Sequence, residues 1–98
     1  MSVFSNRRVC AAVRTREDFD YAIESKVDVI FLLYSNILNM NSYIDKAHKS
    51  GKKIFIHMDF VEGVGKDRIG LEYLKNLGVD GILTTRSNMI RAAKELGL

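Results

Sequence analysis

The sequence predicts an α/β fold: four consecutive strand–helix units, half of an eight-stranded (β/α)8 TIM-type barrel, with parallel strand order 1-2-3-4. Three observations predict it. Short aliphatic runs alternate with segments whose apolar residues recur at helical spacing. Glycines stand where helices should stop, at Gly51, Gly78 and Gly97. The combined strand, helix and glycine pattern recurs about every 24 residues, so the repeating unit is βα.

Each element follows in order. Arg8 to Val13 (RVCAAV) is a short strand with β-branched ends. Thr15–Arg16–Glu17–Asp18 then starts a helix, with Thr15 as N-cap and acids in the first turn, and Phe19, Ala22 and Ile23 form its apolar stripe. Val27 to Leu33 (VDVIFLL) is almost uninterrupted aliphatic, which suits a strand covered on both faces. Tyr43, Ile44 and Ala47 mark a second helix that closes at Lys49–Ser50–Gly51, basic residues followed by glycine. Lys53 to Phe60 (KIFIHMDF) reads as the third strand, and Ile69, Tyr73, Leu74 and Leu77 as the stripe of a third helix ending at Gly78. Val79 to Thr85 (VDGILTT) is the fourth strand, and Ser87 caps a fourth helix carrying Ile90, Ala93 and Leu96.

Such a repeat builds either a doubly wound open sheet or a closed barrel. An open sheet normally carries a glycine-rich phosphate turn after its first strand. Here that turn is Val13–Arg14–Thr15–Arg16, with no glycine, and V-E-G-V-G-K after the third strand matches neither the dinucleotide fingerprint nor the P-loop. The compact repeat and the polar residues at every strand's C-terminal end favour the barrel. Residues 1–98 are then a single incomplete domain, an N-terminal half-barrel.

Composition sets limits on function. An apolar fraction of 47% with 28% charged residues excludes disorder for the bulk of the chain. The longest apolar run, Val29 to Tyr34, is strand length, far short of the roughly 20 residues of a membrane span. The single cysteine, Cys10, has no partner for an internal disulfide and no neighbouring ligands for a metal. With no signal peptide, this points to a reducing cytoplasm. The net charge of +3 and pI near 9.1 permit a nucleic-acid partner, although solvated lysine faces give the same totals.

Barrels bind ligands at the C-terminal ends of their strands, so the residues there carry the chemistry. Arg14 follows strand one; Ser35 and Asn36 follow strand two. His57, Asp59 and Glu62 sit at or past the end of strand three, and Thr84, Thr85 and Arg86 end strand four. By strand alternation His57 and Asp59 share one face. Such a pair either binds an anionic or polyol ligand and exchanges protons with it, or satisfies its own hydrogen bonds and fixes the packing. Arg14 and Arg86 suit phosphate or carboxylate recognition, or pair with a nearby acid. A third metal ligand beyond Glu62 is not evident, and no nucleophile–base or paired-carboxylate arrangement stands out. The expectation is therefore no metal, no cofactor and no catalysis. At the opposite end of the strands, Arg7–Arg8 and Lys52–Lys53 are candidates for contacts to nucleic-acid phosphates, or a solvated rim.

These residues also carry a resemblance. Phe55 to Gly63 (FIHMDFVEG), Asp80 to Asn88 (DGILTTRSN) and Ala92 to Leu98 (AAKELGL) resemble the glycerol uptake operon antiterminator regulatory family. Ala11 to Arg14 (AAVR) and Val29 to Ile37 (VIFLLYSNI) look like its first and second βα units. The resemblance implies a cytoplasmic bacterial regulator, a (β/α)8 barrel of twice this length, that responds to glycerol 3-phosphate and binds leader mRNA to prevent premature transcription termination. It also implies a ligand site carried over onto Arg14, His57, Asp59, Glu62, Thr85 and Arg86. Ser35 stands where the family pattern usually has glycine, and Asn36 where it usually has aspartate.

The four-unit length shapes the remaining expectations. Barrels commonly bind phosphate with the loops after strands seven and eight, which four units do not supply, so glycerol 3-phosphate binding to this chain should be weak. Open strand edges and an uncovered inner face call for self-association or a C-terminal half-barrel. The alternatives to a truncated or partial regulator are a non-functional remnant of one and a small-molecule barrel enzyme.

Overall fold

The computed structural model describes residues 2–5 and 8–98, with side chains from Val9 onward. Two strands open the chain, β1 (Ser2–Ser5) and β2 (Arg8–Val13), followed by α1 (Arg16–Glu24). Next come β3 (Val29–Leu32), a two-residue β4 (Ser35–Asn36) and α2 (Met40–Lys49). β5 (Lys53–His57) runs into a single 3-10 turn at Met58–Phe60, then a two-residue β6 (Val61–Glu62) and α3 (Arg68–Leu77). β7 (Gly81–Leu83) and α4 (Ser87–Glu95) complete the described elements. None of these helices is long and apolar enough to cross a membrane.

The main sheet has the order β1-β2-β3-β5-β7. β2, β3, β5 and β7 are parallel neighbours in chain order, as expected for the four units, and β1 pairs antiparallel with β2. Register separates the two faces cleanly. Val13, Leu32, Ile56 and Ile82 lie in one row, and Ala11, Ile30 and Ile54 in another on the same face. All of them join or pack against a single core that also takes Phe19 and Ala22 of α1, Ile44 and Ala47 of α2, Leu71 and Leu74 of α3, and Met89 and Ala93 of α4. Ala12, Phe31, Phe55 and Leu83, on the opposite face, stay out of that core. All four helices therefore cover one side of the sheet, which follows from right-handed crossovers when strand order never reverses.

On the uncovered side, Phe31 and Phe55 meet edge to face at 5.4 Å. The next residue in their row is Gly81. A Cβ there would lie 2.5 Å from the Phe55 ring, so only glycine leaves that ring its place.

Several expectations change. Strand one is not an open edge, because β1 pairs with it; closing a barrel on that side requires β1 to give up that pairing. α3 is rotated relative to the expected stripe, leaving Ile69 76% and Tyr73 38% exposed while Leu71 and Leu74 are fully buried. Gly70 lies on the inward side with Leu71, and an added Cβ there would lie 1.9 Å from the Gly65 carbonyl oxygen, so only glycine fits that contact. In α4 the inward residue is Met89 rather than Ile90. Ser87 is the first helical residue rather than the cap, and Thr84 Oγ1 instead accepts from the Arg86 backbone N–H at 3.1 Å. Thr15 does cap α1, accepting from the Asp18 N–H at 3.1 Å.

The basic end also needs correction. Lys52 is buried, and its Nζ donates to the carbonyls of Ser25 at 2.8 Å and Val27 at 2.7 Å. It joins the α1–β3 connection to the start of β5, with two of its three ammonium hydrogens on those carbonyls, and its burial takes it off the surface an RNA phosphate would meet. Lys53, one residue on, is exposed. Arg7 lies outside the described residues, and of Arg8 only the backbone is described, paired with Ser5.

Two outcomes follow. Gly81→Val should destabilise the chain by roughly 1–3 kcal/mol in urea melts, from overpacking against Phe55, and Gly81→Val with Phe55→Leu should recover part of the loss. Lys52→Ala should cost roughly 2 kcal/mol, since two buried carbonyls lose their donor, whereas Lys53→Ala should stay within about 0.5 kcal/mol of the parent.

Candidate ligand site at the strand ends

Because β2, β3, β5 and β7 are parallel, their C-terminal ends gather on one rim. Two separate groups of side chains form there. The first is a node between β5 and β7. Asp59, on the 3-10 turn, accepts from Thr84 Oγ1 at 2.7 Å through Oδ1, and from Thr85 N at 3.1 Å and Thr85 Oγ1 at 2.7 Å through Oδ2. Arg86 Nε stands 3.9 Å from Asp59 Oδ1, a long contact from a side chain that is 53% exposed. Burial alone would raise the Asp59 pKa, but the hydrogen bonds from Thr84 and Thr85, helped by the charge of nearby His57, outweigh it and lower it from 3.8 to about 2.

The second group surrounds a cavity of about 500 Å³ lined by Arg14, Leu33, Tyr34, His57 and Phe60. That volume falls in the range of small-molecule sites, roughly 300–1,000 Å³. The imidazole of His57 packs against the Phe60 ring at 4.6 Å, tilted by 39°. His57 Nδ1 is buried and has no hydrogen-bond partner among the described residues, which is uncommon for a buried polar atom. Ser35 Oγ is buried in the same unpartnered state. Tyr34 donates its hydroxyl to Glu62, and that hydrogen bond, with the Glu62 charge, raises the Tyr34 pKa above its ordinary value.

A two-stranded parallel sheet outside the main one holds these loops together. Ser35 and Asn36 of β4 pair with Val61 and Glu62 of β6, and Ile37 N donates to the Glu62 carbonyl at 2.9 Å. Asn36 Oδ1 accepts from the backbone N–H groups of Leu38 at 2.8 Å and Asn39 at 3.0 Å. Asparagine thus supplies the same acceptor an aspartate would.

His57 and Asp59 do not share a face as strand alternation predicts. β5 stops at His57, and the 3-10 turn sends Asp59 towards Thr84 and Thr85 while His57 lines the cavity. Of the expected residues, Arg14 and His57 come together at the cavity, with Glu62 behind Tyr34; Asp59, Thr85 and Arg86 come together at the node. Leu33, Tyr34 and Phe60 escaped notice because nothing in a short aliphatic–aromatic run distinguishes a lining residue from a core one. The unpaired aromatic after each of two strands, Tyr34 and Phe60, was the available signal. Among the described residues, no three His, Cys, Asp or Glu side chains gather to hold a metal ion.

Comparison with known proteins places this geometry. A family described as glycerol-3-phosphate responsive antiterminator matches residues 9–98. A crystal structure of a glycerol uptake operon antiterminator regulatory protein from Listeria monocytogenes is similar with a TM-score of 0.88 and 27% identity, over 97% of this chain and 52% of that one. A glycerol uptake operon antiterminator-related protein from Thermotoga maritima gives a TM-score of 0.81 at 32% identity, over 91% of this chain and 50% of that one. An uncharacterized Escherichia coli K12 protein, YgcP, is 34% identical over 90 residues, which are 91% of this chain and 47% of that protein. The chain thus spans about half the length of the relatives it matches.

The node makes stability pH-dependent. A carboxyl whose folded pKa is depressed stabilises the fold above its unfolded pKa, and the contribution is lost as pH falls through the folded value. For Asp59 that window runs from 3.8 down to about 2, and is worth at most roughly 2 kcal/mol. Urea melts across this window should show the loss in the parent. Asp59→Asn, which cannot titrate, should be less stable at neutral pH and lack this part of the slope.

Proposed function

The chain belongs to the glycerol-3-phosphate responsive antiterminator family, and on that premise we propose that it is the N-terminal half of a TIM-type barrel in an RNA-binding regulator of glycerol uptake and metabolism genes. The observation that carries this reading is the family match over residues 9–98, which takes in every side chain of the strand-end rim. The regulator binds leader mRNA and prevents premature transcription termination in response to glycerol 3-phosphate. It works in the cytoplasm, without cofactor and without catalysis. Asp59, occupied by three hydrogen bonds and ionised well below neutrality, is poorly suited to proton transfer near neutral pH, which supports binding over chemistry.

In this proposal the ligand rim is built from Arg14 and His57 at the cavity, Glu62 behind Tyr34, and the node of Asp59, Thr85 and Arg86 that braces it. Binding of glycerol 3-phosphate to these four units alone is weak, because barrels commonly grip phosphate with loops of the last two units. The uncovered sheet face, with its Phe31–Phe55 pair, supports closure by further βα units, from a C-terminal half-barrel or by self-association. RNA contacts are assigned to the opposite end of the strands, to Arg7, Arg8 and Lys53. These lack interleaved aromatics, so they hold phosphates rather than stack bases.

A filter-binding titration with a glycerol-operon leader RNA at two salt concentrations tests this. Affinity should fall steeply with salt, and replacing Arg7, Arg8 and Lys53 by alanine should flatten the slope by about one per lost phosphate contact. Substitutions at His57 should leave RNA binding without ligand unchanged. Loss of RNA binding in the His57 variant, with the basic variants unaffected, would reverse the assignment of the two ends.

A further inference from the structure

Resting on that reading, we infer that the ligand sits between the ends of β2, β3 and β5, in the cavity lined by Arg14, Leu33, Tyr34, His57 and Phe60, as a small hydroxylated anion whose charge meets Arg14 and whose hydroxyl meets His57. The residues of the β5–β7 node are positioning residues, not ligand contacts. Four observations divide the rim this way.

The first is hydrogen-bonding capacity. Asp59 already accepts three hydrogen bonds from Thr84 and Thr85, close to the roughly four a carboxylate can take. His57 Nδ1, by contrast, is buried and takes none among the described residues. A ligand hydroxyl fills that position, as donor or acceptor according to the tautomer. The second is charge. Arg14 is exposed, lines the cavity and makes no ion pair among the described residues, whereas Arg86, at the node, faces a carboxylate. An anion placed at the node meets the Asp59 charge; placed at Arg14 it meets an unopposed guanidinium, whose planar fork suits phosphate oxygens.

The third is surface chemistry. Leu33 and the rings of Tyr34 and Phe60 give the cavity apolar walls suited to the carbon chain of a polyol. The Tyr34 ring is held there by its hydroxyl's bond to Glu62, so Glu62 acts on the ligand through Tyr34. The fourth is access. His57 Nδ1 is closed to solvent, and the ring packed on the imidazole, that of Phe60, is itself 54% exposed at the cavity wall. A ligand that reaches His57 therefore meets Phe60.

An NMR titration of the 15N-labelled chain reads weak binding residue by residue. The probes are glycerol 3-phosphate, glycerol and inorganic phosphate in parallel. Glycerol 3-phosphate should shift the amides of Arg14, Tyr34, His57 and Phe60 and the ring protons of Phe60, more strongly than either fragment. Arg14→Gln, at an exposed site that leaves folding intact, should raise Kd about tenfold, as for one lost charged hydrogen bond. Thr85→Ala should lower Tm yet change Kd less than about threefold, a split expected of a positioning residue. Shifts centred on Thr84, Thr85 and Arg86, or a Kd indifferent to Arg14→Gln, would overturn this placement while leaving the regulator reading standing. Equal shifts with inorganic phosphate would overturn the hydroxyl contact at His57. No shift with glycerol 3-phosphate at any concentration would overturn the placement and the ligand response together.

Discussion

Everything in this chain hangs on one aliphatic surface. Val13, Leu32, Ile56 and Ile82 form a row across four parallel strands, with Ala11, Ile30 and Ile54 behind it, and every helix buries its apolar stripe there. A surface of that kind is non-directional, yet it fixes direction in two ways. It requires each connection to return over the same face, so the strands run parallel and the chain ends of all four strands collect on one rim. It also leaves the alternate residues, Ala12, Phe31, Phe55 and Leu83, on a face no helix covers.

The two ends of the sheet are joined by different chemistry. At the starts of the strands, carboxylates and one lysine bridge neighbours: Asp28 accepts from Val9 N at 3.1 Å, Asp80 accepts from Ile54 N at 2.8 Å, and Lys52 donates to two carbonyls of the α1–β3 connection. These groups are taken up by backbone partners, with His48 Nε2 also on Asp80 at 2.9 Å, and set where each strand begins. At the strand ends, among the described residues, the β5–β7 gap alone is closed in this way, by Asp59 with Thr84 and Thr85. β3 and β5 are joined further out, by the β4–β6 pair, and the cavity lies among residues just before that pair, Leu33, Tyr34, His57 and Phe60, together with Arg14. That asymmetry is why one part of the rim is a strut and another a site.

The local sequence determined the elements and their order. Thr15 with Glu17 and Asp18, the run Val27 to Leu33, and Gly78 after Leu77 each specify a cap, a strand or a stop through backbone geometry that needs no distant partner. The chemistry-bearing residues were visible too, because Arg14, His57, Asp59, Thr85 and Arg86 interrupt apolar runs where strands must end. What tertiary structure alone decided is which of them meet. Asp59 leaves the side of His57 because a 3-10 turn, stabilised by threonines 25 residues and more away, replaces the last strand residues. Lys52 is buried and Lys53 exposed, although both read as surface charges, because only packing reveals which amine lies over free carbonyls. α3 turns Leu71 rather than Ile69 inward, with Gly70 packed on Gly65, a fit that no helical spacing announces. The pairing of β1 with β2 and of β4 with β6 is likewise absent from local pattern, since two to four residues carry no periodicity. Contacts between residues far apart in the chain depend on the sum of all the packing, and that sum exists only once the core has formed.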